Sequence, residues 1–289
     1  MWRGAVWRPA APTPRRIVLP EGLDPDVLDP GALPAPDGGP VGAATGGETV
    51  ARQRLRAWLG RLSGYADAHD ALADDGTSRL SPYLRFGCLS PLELAGQALA
   101  TGAPAAEDFV RQLCWRDFFH QVTAAFPDIT SVPLRPSAND DWRTDPSTLD
   151  AWRAGLTGMP IVDAGMRQLA AEGFMHNRAR LITASFLTKH LRLDWRDGAR
   201  WFGRQLLDGD VANNYGNWQW VAGTGNDTKP YRRFNPVRQA HRYDPDGRYV
   251  RRYVPELAPV PGPAVHEPWK LPEAVRRRLD YPAPLDGAS

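Results

Sequence analysis

Apolar residues recur at intervals of three and four positions from Glu48 onward, which places them on one face of an α-helix. The first helix predicted in this way carries Val50, Leu55, Trp58, Leu59 and Leu62 on that face. We expect it to end at Tyr65. The pattern indicates that the chain turns helical at this point and stays so for most of its length.

The longest amphipathic helix is predicted over residues 104–126. Its apolar face is expected to contain Val110, Leu113, Phe118 and Val122, with Gln112, Trp115 and Arg116 off that face. Another helix is predicted to begin within residues 158–163 and to run to about Glu172. The next opens at His176, with Leu181, Ile182, Phe186 and Leu187 packing inward, and a later one contains both Trp195 and Trp201.

The two ends of the chain differ from this helical region. Residues 1–47 are rich in proline and glycine, which is typical of a linker, and no βαβ unit precedes the helices. We expect a linker over residues 1–47, a helical domain over 48–270 and a tail over 271–289. The tail is again proline-rich, with a short basic helix predicted near Val275 to Arg278.

Length and charge limit the possible classes of protein. A chain of 289 residues can bury a sizeable core and indicates one large domain with tails. The 35 basic and 33 acidic residues give a formal charge of +2, so any nucleic-acid surface must be local. With no membrane-spanning apolar run, no signal peptide and only two cysteines, we expect a cytoplasmic monomer without membrane association.

Residues 208–228 combine asparagine, glycine and tryptophan in a way that indicates a site. Asp210 is a plausible N-cap, and residues 211–214 would form a first helical turn whose free N–H groups favour an anion. Asn214 and Trp218 are four positions apart and therefore share one helix face. The alternative is a tryptophan-rich core helix with a glycine-rich exit.

A second polar segment lies at residues 76–82. Thr77, Ser78 and Ser81 supply hydroxyl groups and Arg79 a guanidinium, a combination that suits a diphosphate. The alternative is a helix cap at Ser81, followed by a proline in the first turn. No P-loop, HExxH motif, paired cysteine ligands or Ser/His/Asp arrangement is present, so hydrolytic and metal chemistry are not supported and no metal site is predicted.

These two segments closely resemble the flavin-binding signature of the DNA photolyase and cryptochrome family, and the resemblance extends from about Glu48 to Trp269. It implies an all-α, multi-helical FAD-binding domain without the family's N-terminal antenna domain. It also implies a salt bridge between Arg180 and Asp208. The implied FAD contacts are Tyr65, Thr77, Ser78, Arg79, Leu80, Ser81, Arg180, Asp208, Gly209, Asp210 and Asn214.

The same resemblance implies an electron-transfer chain and a DNA surface. Trp142, Trp195 and Trp218 match the family's triad, the alternative being three unrelated core tryptophans. The implied DNA contacts are Gln112, Trp115, Arg116, Asn177, Arg178, Trp220, Arg232 and Arg233. The basic and aromatic segment 229–236 could track phosphates or be an ordinary solvated loop.

The sequence departs from the family pattern at two places that concern recognition of the damaged DNA. Gln112 stands where well-known cyclobutane-dimer enzymes have glutamate, and glutamine offers hydrogen bonds but no carboxylate. Asn177 and Leu181 stand where (6-4) photolyases have histidine, which disfavours (6-4) repair. The resemblance therefore implies light-driven repair of cyclobutane pyrimidine dimers in DNA. The alternatives are a blue-light sensor without repair activity and an isolated flavin-binding domain that has lost activity.

Overall fold

A computed structural model describes residues 11–12, 15–16, 20–22 and 45–285. Its helices are α1 (Glu48–Leu59), α2 (Tyr65–Ala68), α3 (Ser81–Arg85), α4 (Pro91–Ala100), α5 (Ala106–Ala125), α6 (Pro146–Ala154), α7 (Pro160–Glu172), α8 (Asn177–Ser185), α9 (Trp195–Gln205), α10 (Val211–Ala222), α11 (Pro236–Tyr243), α12 (Arg248–Tyr253) and α13 (Glu273–Arg276). Within those ranges the β pairing consists of one isolated bridge, between Arg143 and Leu193. The predicted all-α fold is confirmed. Most of the linker predicted over residues 1–47 lies outside the described residues.

Two hydrophobic clusters support the helices. The larger is built mainly from α7 to α10 and encloses Trp152, Phe186, Trp195 and Phe202. The smaller is built from α1 to α5 and encloses Leu55, Trp58, Tyr65 and Phe109. Helix α10 packs against both α5 and α9, so it joins the two halves of the domain. The part of the chain described here contains no helix that is both long and apolar enough to span a bilayer.

The sequence pattern predicted one core position of α5 wrongly. Phe118 was expected on the apolar face, but it is 38% exposed, whereas Phe119 is 6% exposed. The reason is the absence of a side chain at Gly216 of α10. A Cβ at this position would lie 2.3 Å from the Phe119 ring. Phe119 fits beneath α10 because Gly216 has no side chain, a tertiary detail that helical spacing does not contain.

The boundary predicted at Tyr65 was also wrong. Helix α1 ends at Leu59, followed by Gly60, and a short 3₁₀ turn over Leu62–Gly64 leads into α2, which begins at Tyr65. Glycine is a poor helix former, which is consistent with the chain leaving the helix here. The consequence is that Tyr65 is directed into the smaller core, where it meets Trp58 edge-on with ring centroids 5.5 Å apart.

The tail, as far as residue 285, packs against the helical domain. The Tyr281 hydroxyl donates to Asp163, a fully buried carboxylate that also accepts from Thr157. The Leu285 N–H donates to the Thr157 carbonyl at 2.9 Å, and a Cβ at Gly158 would lie 2.2 Å from the Ala283 carbonyl oxygen. The short basic helix predicted in the tail is α13.

Candidate functional site

Helix α10 starts with the predicted cap. Asp210 Oδ1 accepts from the Asn213 N–H at 2.7 Å, and Asp210 Oδ2 accepts from the Asn213 Nδ2 at 2.9 Å. Asn214 and Trp218 follow on one helix face and are 9% and 3% exposed. The Asn214 Nδ2 donates to the Ala199 carbonyl at 2.8 Å, which fixes the orientation of the carboxamide. An amide and an indole are thus held side by side.

The implied salt bridge beside this helix is present. Arg180 Nη2 donates to Asp208 Oδ2 at 2.8 Å, and Arg180 Nε donates to the Met175 carbonyl. The Asp208 side chain is 7% exposed, and its other oxygen, Oδ1, is buried without a hydrogen-bond partner. An unsatisfied buried acceptor costs about 1 to 3 kcal/mol, and this atom is available to accept a hydrogen bond from a bound group.

The hydroxyl-rich turn contains a second such atom. Thr77 Oγ1 is buried and unpartnered. Ser81 is the first residue of α3, with no side-chain cap there, so the alternative of a Ser81 N-cap was wrong. Arg85 Nε donates to the Gly209 carbonyl at 2.8 Å, which ties α3 to the turn that carries Asp208. These orphaned polar atoms, in two turns tied together, fit the polar edges of a flavin nucleotide.

The Arg79 guanidinium, which was expected to meet a diphosphate, pairs with protein carboxylates. Its backbone has φ +50°, and its guanidinium pairs with Asp75 at 2.6 Å and with Glu172 at 2.7 Å. It also lies over the Phe174 ring at 4.5 Å. The side chain is therefore committed to two carboxylates. The side chain holds the turn in shape, and a contact between Arg79 and a diphosphate stays a prediction.

Tyr65 and Leu80, two other implied flavin contacts, lie in the smaller core. They are 7% and 1% exposed. Burial, with a smaller contribution from Asp70, raises the pKa of Tyr65 to about 12. The phenol is therefore protonated at neutral pH.

The three triad tryptophans differ in exposure. Trp218 and Trp195 are buried, whereas Trp142 is half-buried against the larger core. Trp218 meets Phe202 with centroids 5.0 Å apart and Trp152 at 6.1 Å. The Arg143–Leu193 bridge brings the Trp142 segment beside the start of α9, which holds Trp195. Of the three, Trp142 is therefore the one that solvent can reach, and their role as an electron relay stays a prediction.

Trp152 was not assigned to the site from the sequence. It is fully buried, stacks on Phe202 with centroids 6.0 Å apart and touches Trp218 edge-on. Its indole Nε1 donates to the Thr183 carbonyl at 3.2 Å. Trp152 thus packs against Trp218, a contact between α6 and α10 that no local spacing indicates.

The candidate DNA contacts are spread over the surface. Trp115 is 52% exposed and meets Phe118 edge-on at 5.6 Å, so two aromatic rings are presented to solvent. Trp220 is half-buried, with the Arg232 guanidinium 5.5 Å from its ring centroid. Gln112, Asn177, Arg232 and Arg233 are exposed, and Arg116 is half-buried.

Arg178 is the candidate cation with the most complete set of protein partners. Its Nη2 donates to both oxygens of Asp70 at 2.7 Å, and the guanidinium lies over the Tyr243 ring at 4.4 Å. A phosphate would have to compete with that carboxylate. Its role in DNA binding stays a prediction.

The loop 229–236 is anchored by a residue that the sequence did not single out. Lys189 Nζ donates to the Ala222 carbonyl at 2.6 Å and to the Pro230 carbonyl at 2.7 Å. Burial lowers the pKa of Lys189. The loop therefore starts from a fixed point at the end of α10, and it carries Tyr231, which is 92% exposed.

Comparison with known proteins identifies this arrangement. The family described as the FAD binding domain of DNA photolyase matches residues 109–287, more than half of the chain. The chain belongs to this family. The photolyase-type FAD-binding domain thus contains α10, the Arg180–Asp208 pair and the three tryptophans, while the Thr77–Ser81 turn precedes the matched region.

Its relatives include both repair enzymes and cryptochromes by name. A deoxyribodipyrimidine photo-lyase from Streptomyces griseus is 52% identical, over 98% of this chain and 62% of its own length. Cryptochrome DASH from Gloeobacter violaceus is 38% identical, over 98% of this chain and 61% of its own length. The crystal structure of a class III photolyase from Agrobacterium tumefaciens matches with a TM-score of 0.80 at 40% identity, covering 83% of this chain and 52% of that one. This FAD-binding domain therefore spans less than two thirds of these relatives.

Proposed function

We propose that this chain binds FAD and uses light to repair cyclobutane pyrimidine dimers in DNA. The observation that carries the proposal is the pair of turns tied by Arg85 and Gly209. Each holds a buried polar atom without a protein partner, Thr77 Oγ1 in one and Asp208 Oδ1 in the other. A nucleotide cofactor with hydrogen-bonding groups along its length would satisfy both.

The residues of the two turns have distinct roles in this proposal. Thr77, Ser78 and Ser81 offer hydroxyls, and the backbone at Arg79 offers an N–H, to the diphosphate. Asp208, held by Arg180, accepts a hydrogen bond, and Asp210 and Asn214 present an acid and an amide from the start of α10. When bound, reduced FAD supplies the excited-state electron that splits the dimer and is afterwards returned.

The tryptophans keep the cofactor in its reduced state. Trp142 would take electrons from the solvent side and pass them through Trp195 to Trp218. Trp218 packs edge-on against both Phe202 and Trp152, so its distance to a bound ring would vary little. Of the three, Trp142 is partly exposed and Trp195 and Trp218 are both buried, which supports the entry of electrons at Trp142.

The DNA side of the proposal uses the exposed residues. A pyrimidine dimer must leave the duplex to reach a buried cofactor, and photolyases achieve this by flipping the target nucleotides out of the stack. Trp115 and Trp220 would stack on the dimer, and Gln112 and Asn177 would hydrogen-bond it. Arg116, Arg178, Arg232 and Arg233 would contact phosphates. The protein would act as a monomer in the cytoplasm.

A light sensor without repair activity is the second candidate, favoured by the similarity to Cryptochrome DASH. The two functions separate in one assay. UV-irradiated oligo(dT) is mixed with the reduced protein under blue light, and the recovery of thymine absorbance is followed. Recovery that requires both light and the protein supports repair. Photoreduction of the flavin without any thymine recovery would contradict repair and favour the sensor.

A further inference from the structure

An ion pair connects the two outer tryptophans of the triad. The Trp142 Nε1 donates to Asp140 Oδ1 at 2.7 Å. Both oxygens of Asp140 also accept from Arg196, at 3.1 Å from Nη1 and 2.6 Å from Nη2. The Arg196 guanidinium in turn lies over the Trp195 ring, 4.8 Å from its centroid. A carboxylate thus touches one tryptophan and a cation covers the other.

The ion pair is held in place by further bonds. Arg196 Nε donates to the Ser131 carbonyl at 2.8 Å, and Asp194 accepts from Arg196 Nη1 at 3.2 Å. Asp194 also caps α9 by accepting from the Arg196 N–H. The Arg196 side chain is only 17% exposed. Its position over Trp195 is therefore fixed by the fold, unlike that of a surface arginine.

Asp140 is charged at neutral pH. Burial alone would raise its pKa, but hydrogen bonds from Arg196 and from the Trp142 indole outweigh burial and lower the pKa below the ordinary value. The Trp195 indole N–H lies near the same carboxylate without completing a hydrogen bond. Two features therefore distinguish the tryptophans: the hydrogen bond to Asp140 at Trp142 and the guanidinium over the face of Trp195.

These contacts affect the two rings oppositely when an electron is removed. A tryptophan that has lost an electron carries a positive charge, and its N–H becomes a stronger donor. A hydrogen-bonded carboxylate stabilises that state. A guanidinium over the ring is attracted to the neutral π-system and repelled once the ring is positive. Oxidised Trp142 is therefore favoured over oxidised Trp195.

We propose that Asp140 and Arg196 make electron transfer through the outer triad directional, so that the electron vacancy comes to rest on Trp142. The inference rests on the proposed photoreduction and adds positioning residues to it. In this step one electron leaves Trp142 and fills the vacancy on Trp195, and no bond is broken and no proton moves. The oxidant is the light-excited oxidised flavin, acting through Trp218. An external thiol later returns one electron to Trp142.

The first test generates the vacancy without light. Azide radicals from pulse radiolysis oxidise tryptophan in the intact, flavin-loaded protein kept in the dark, and the visible absorption of the tryptophan radical is recorded. The part of the signal lost in Trp142→Phe belongs to Trp142. Asp140→Asn keeps Oδ1, which accepts from the indole and from Arg196 Nη1, and removes the charge together with the acceptor for Arg196 Nη2. We expect the Trp142 signal to fall about tenfold.

Matched variants isolate the charge. Asp141 is exposed and adjacent, and Asp141→Asn makes the same charge change away from the ion pair. It should retain the wild-type signal. Asp140→Glu restores the carboxylate and should recover most of it. A Trp142 signal in Asp140→Asn equal to that of the wild type, or a loss in Asp140→Glu as large as in Asp140→Asn, would overturn the proposal.

A flash experiment then tests the directional role of Asp140 and the triad separately. In the wild type, the tryptophan radical formed after the flash should outlive that in Asp140→Asn about tenfold, because the vacancy returns inward more readily without the carboxylate. Equal lifetimes, with normal radical formation in the wild type, would overturn the directional role alone. A wild-type radical signal that is unchanged in Trp142→Phe would overturn the triad itself and the inference with it.

Discussion

Gly198 of α9 lies directly against the ring of Trp218 of α10. A Cβ at position 198 would be 2.2 Å from the Trp218 ring, and 2.7 Å from a Leu187 methyl carbon. The two helices can approach this closely, and Trp218 can cross α9 here, only because residue 198 has no side chain. The location of Trp218 thus depends on a glycine twenty positions earlier.

Gly198→Ala should displace Trp218 or separate α9 from α10. We expect the free energy of unfolding to fall by about 1 to 3 kcal/mol, as for other overpacked cores, and photoreduction to slow. Denaturant unfolding and flavin bleaching under blue light measure the two effects. Gly203→Ala on the same helix is the control, because a Cβ there would lie 3.5 Å from Asn214 Nδ2, an ordinary contact. Equal stability of the two variants would contradict the close approach.

Trp218→Phe should abolish photoreduction of oxidised FAD and leave repair by chemically reduced protein largely intact. Phenylalanine keeps most of the packing volume and removes the indole. Trp115→Ala should do the opposite, with photoreduction unchanged and dimer affinity lower by roughly 1 to 3 kcal/mol, the usual cost of removing a stacking ring. Flavin absorbance and thymine recovery are followed for both. Unimpaired photoreduction in Trp218→Phe would mean that electrons enter by another route.

Asp208→Ala should destabilise the fold and reduce FAD content. It leaves Arg180 without its carboxylate and removes the buried acceptor, which should cost roughly 3 kcal/mol, the lower end for a broken buried pair. Thermal unfolding and the flavin-to-protein absorbance ratio report the result. Asp150→Ala breaks an exposed pair with Arg153 and should cost less than about 1 kcal/mol. Full flavin content in Asp208→Ala would remove Asp208 from the cofactor site.

The loop arginines should set the salt dependence of DNA binding. Replacing Arg232 and Arg233 together by alanine should reduce the slope of log K against log salt by about 0.9 per lost phosphate contact. Arg276 and Arg278 are also exposed and lie in the α13 region, so their double alanine variant removes the same charge elsewhere. Equal slopes for the two double variants would place the DNA away from the loop.

His176 should make the fold sensitive to mild acid. Burial lowers its pKa to about 4, and its Nδ1 accepts from the Arg178 N–H as the cap of α8. The unfolded chain therefore binds a proton near pH 6.5 that the folded chain takes up only near pH 4, so stability falls as the pH drops through this window. The loss is at most about 3 kcal/mol. His176→Asn should flatten the pH dependence of denaturant unfolding over this range, while His120→Asn, an exposed control, should not.

The parts of the site that could be predicted from the sequence are the local ones. The Asp210 cap and the Asn214–Trp218 face follow from spacing within a single helix, and the structure has both. Spacing within one helix could not predict that Phe119 is buried in place of Phe118, or that the Arg79 side chain pairs with two carboxylates. Arg79 pairs with Glu172, 93 positions away, and Phe119 depends on Gly216 in another helix. Residue type and period predict which side chain is available, and only the packed fold determines which partner it meets.

The contact between Tyr281 and Asp163 joins positions 118 residues apart and places the tail in the same cooperative unit as α6 and α7. During synthesis, the turn at 157–163 leaves the ribosome long before residues 281–285 can follow. Until then Asp163 lacks one donor and the slot at Gly158 is empty. The nascent domain should therefore remain incompletely closed until this segment emerges, and it should reach full protease resistance only after residues 281–285 have left the ribosome.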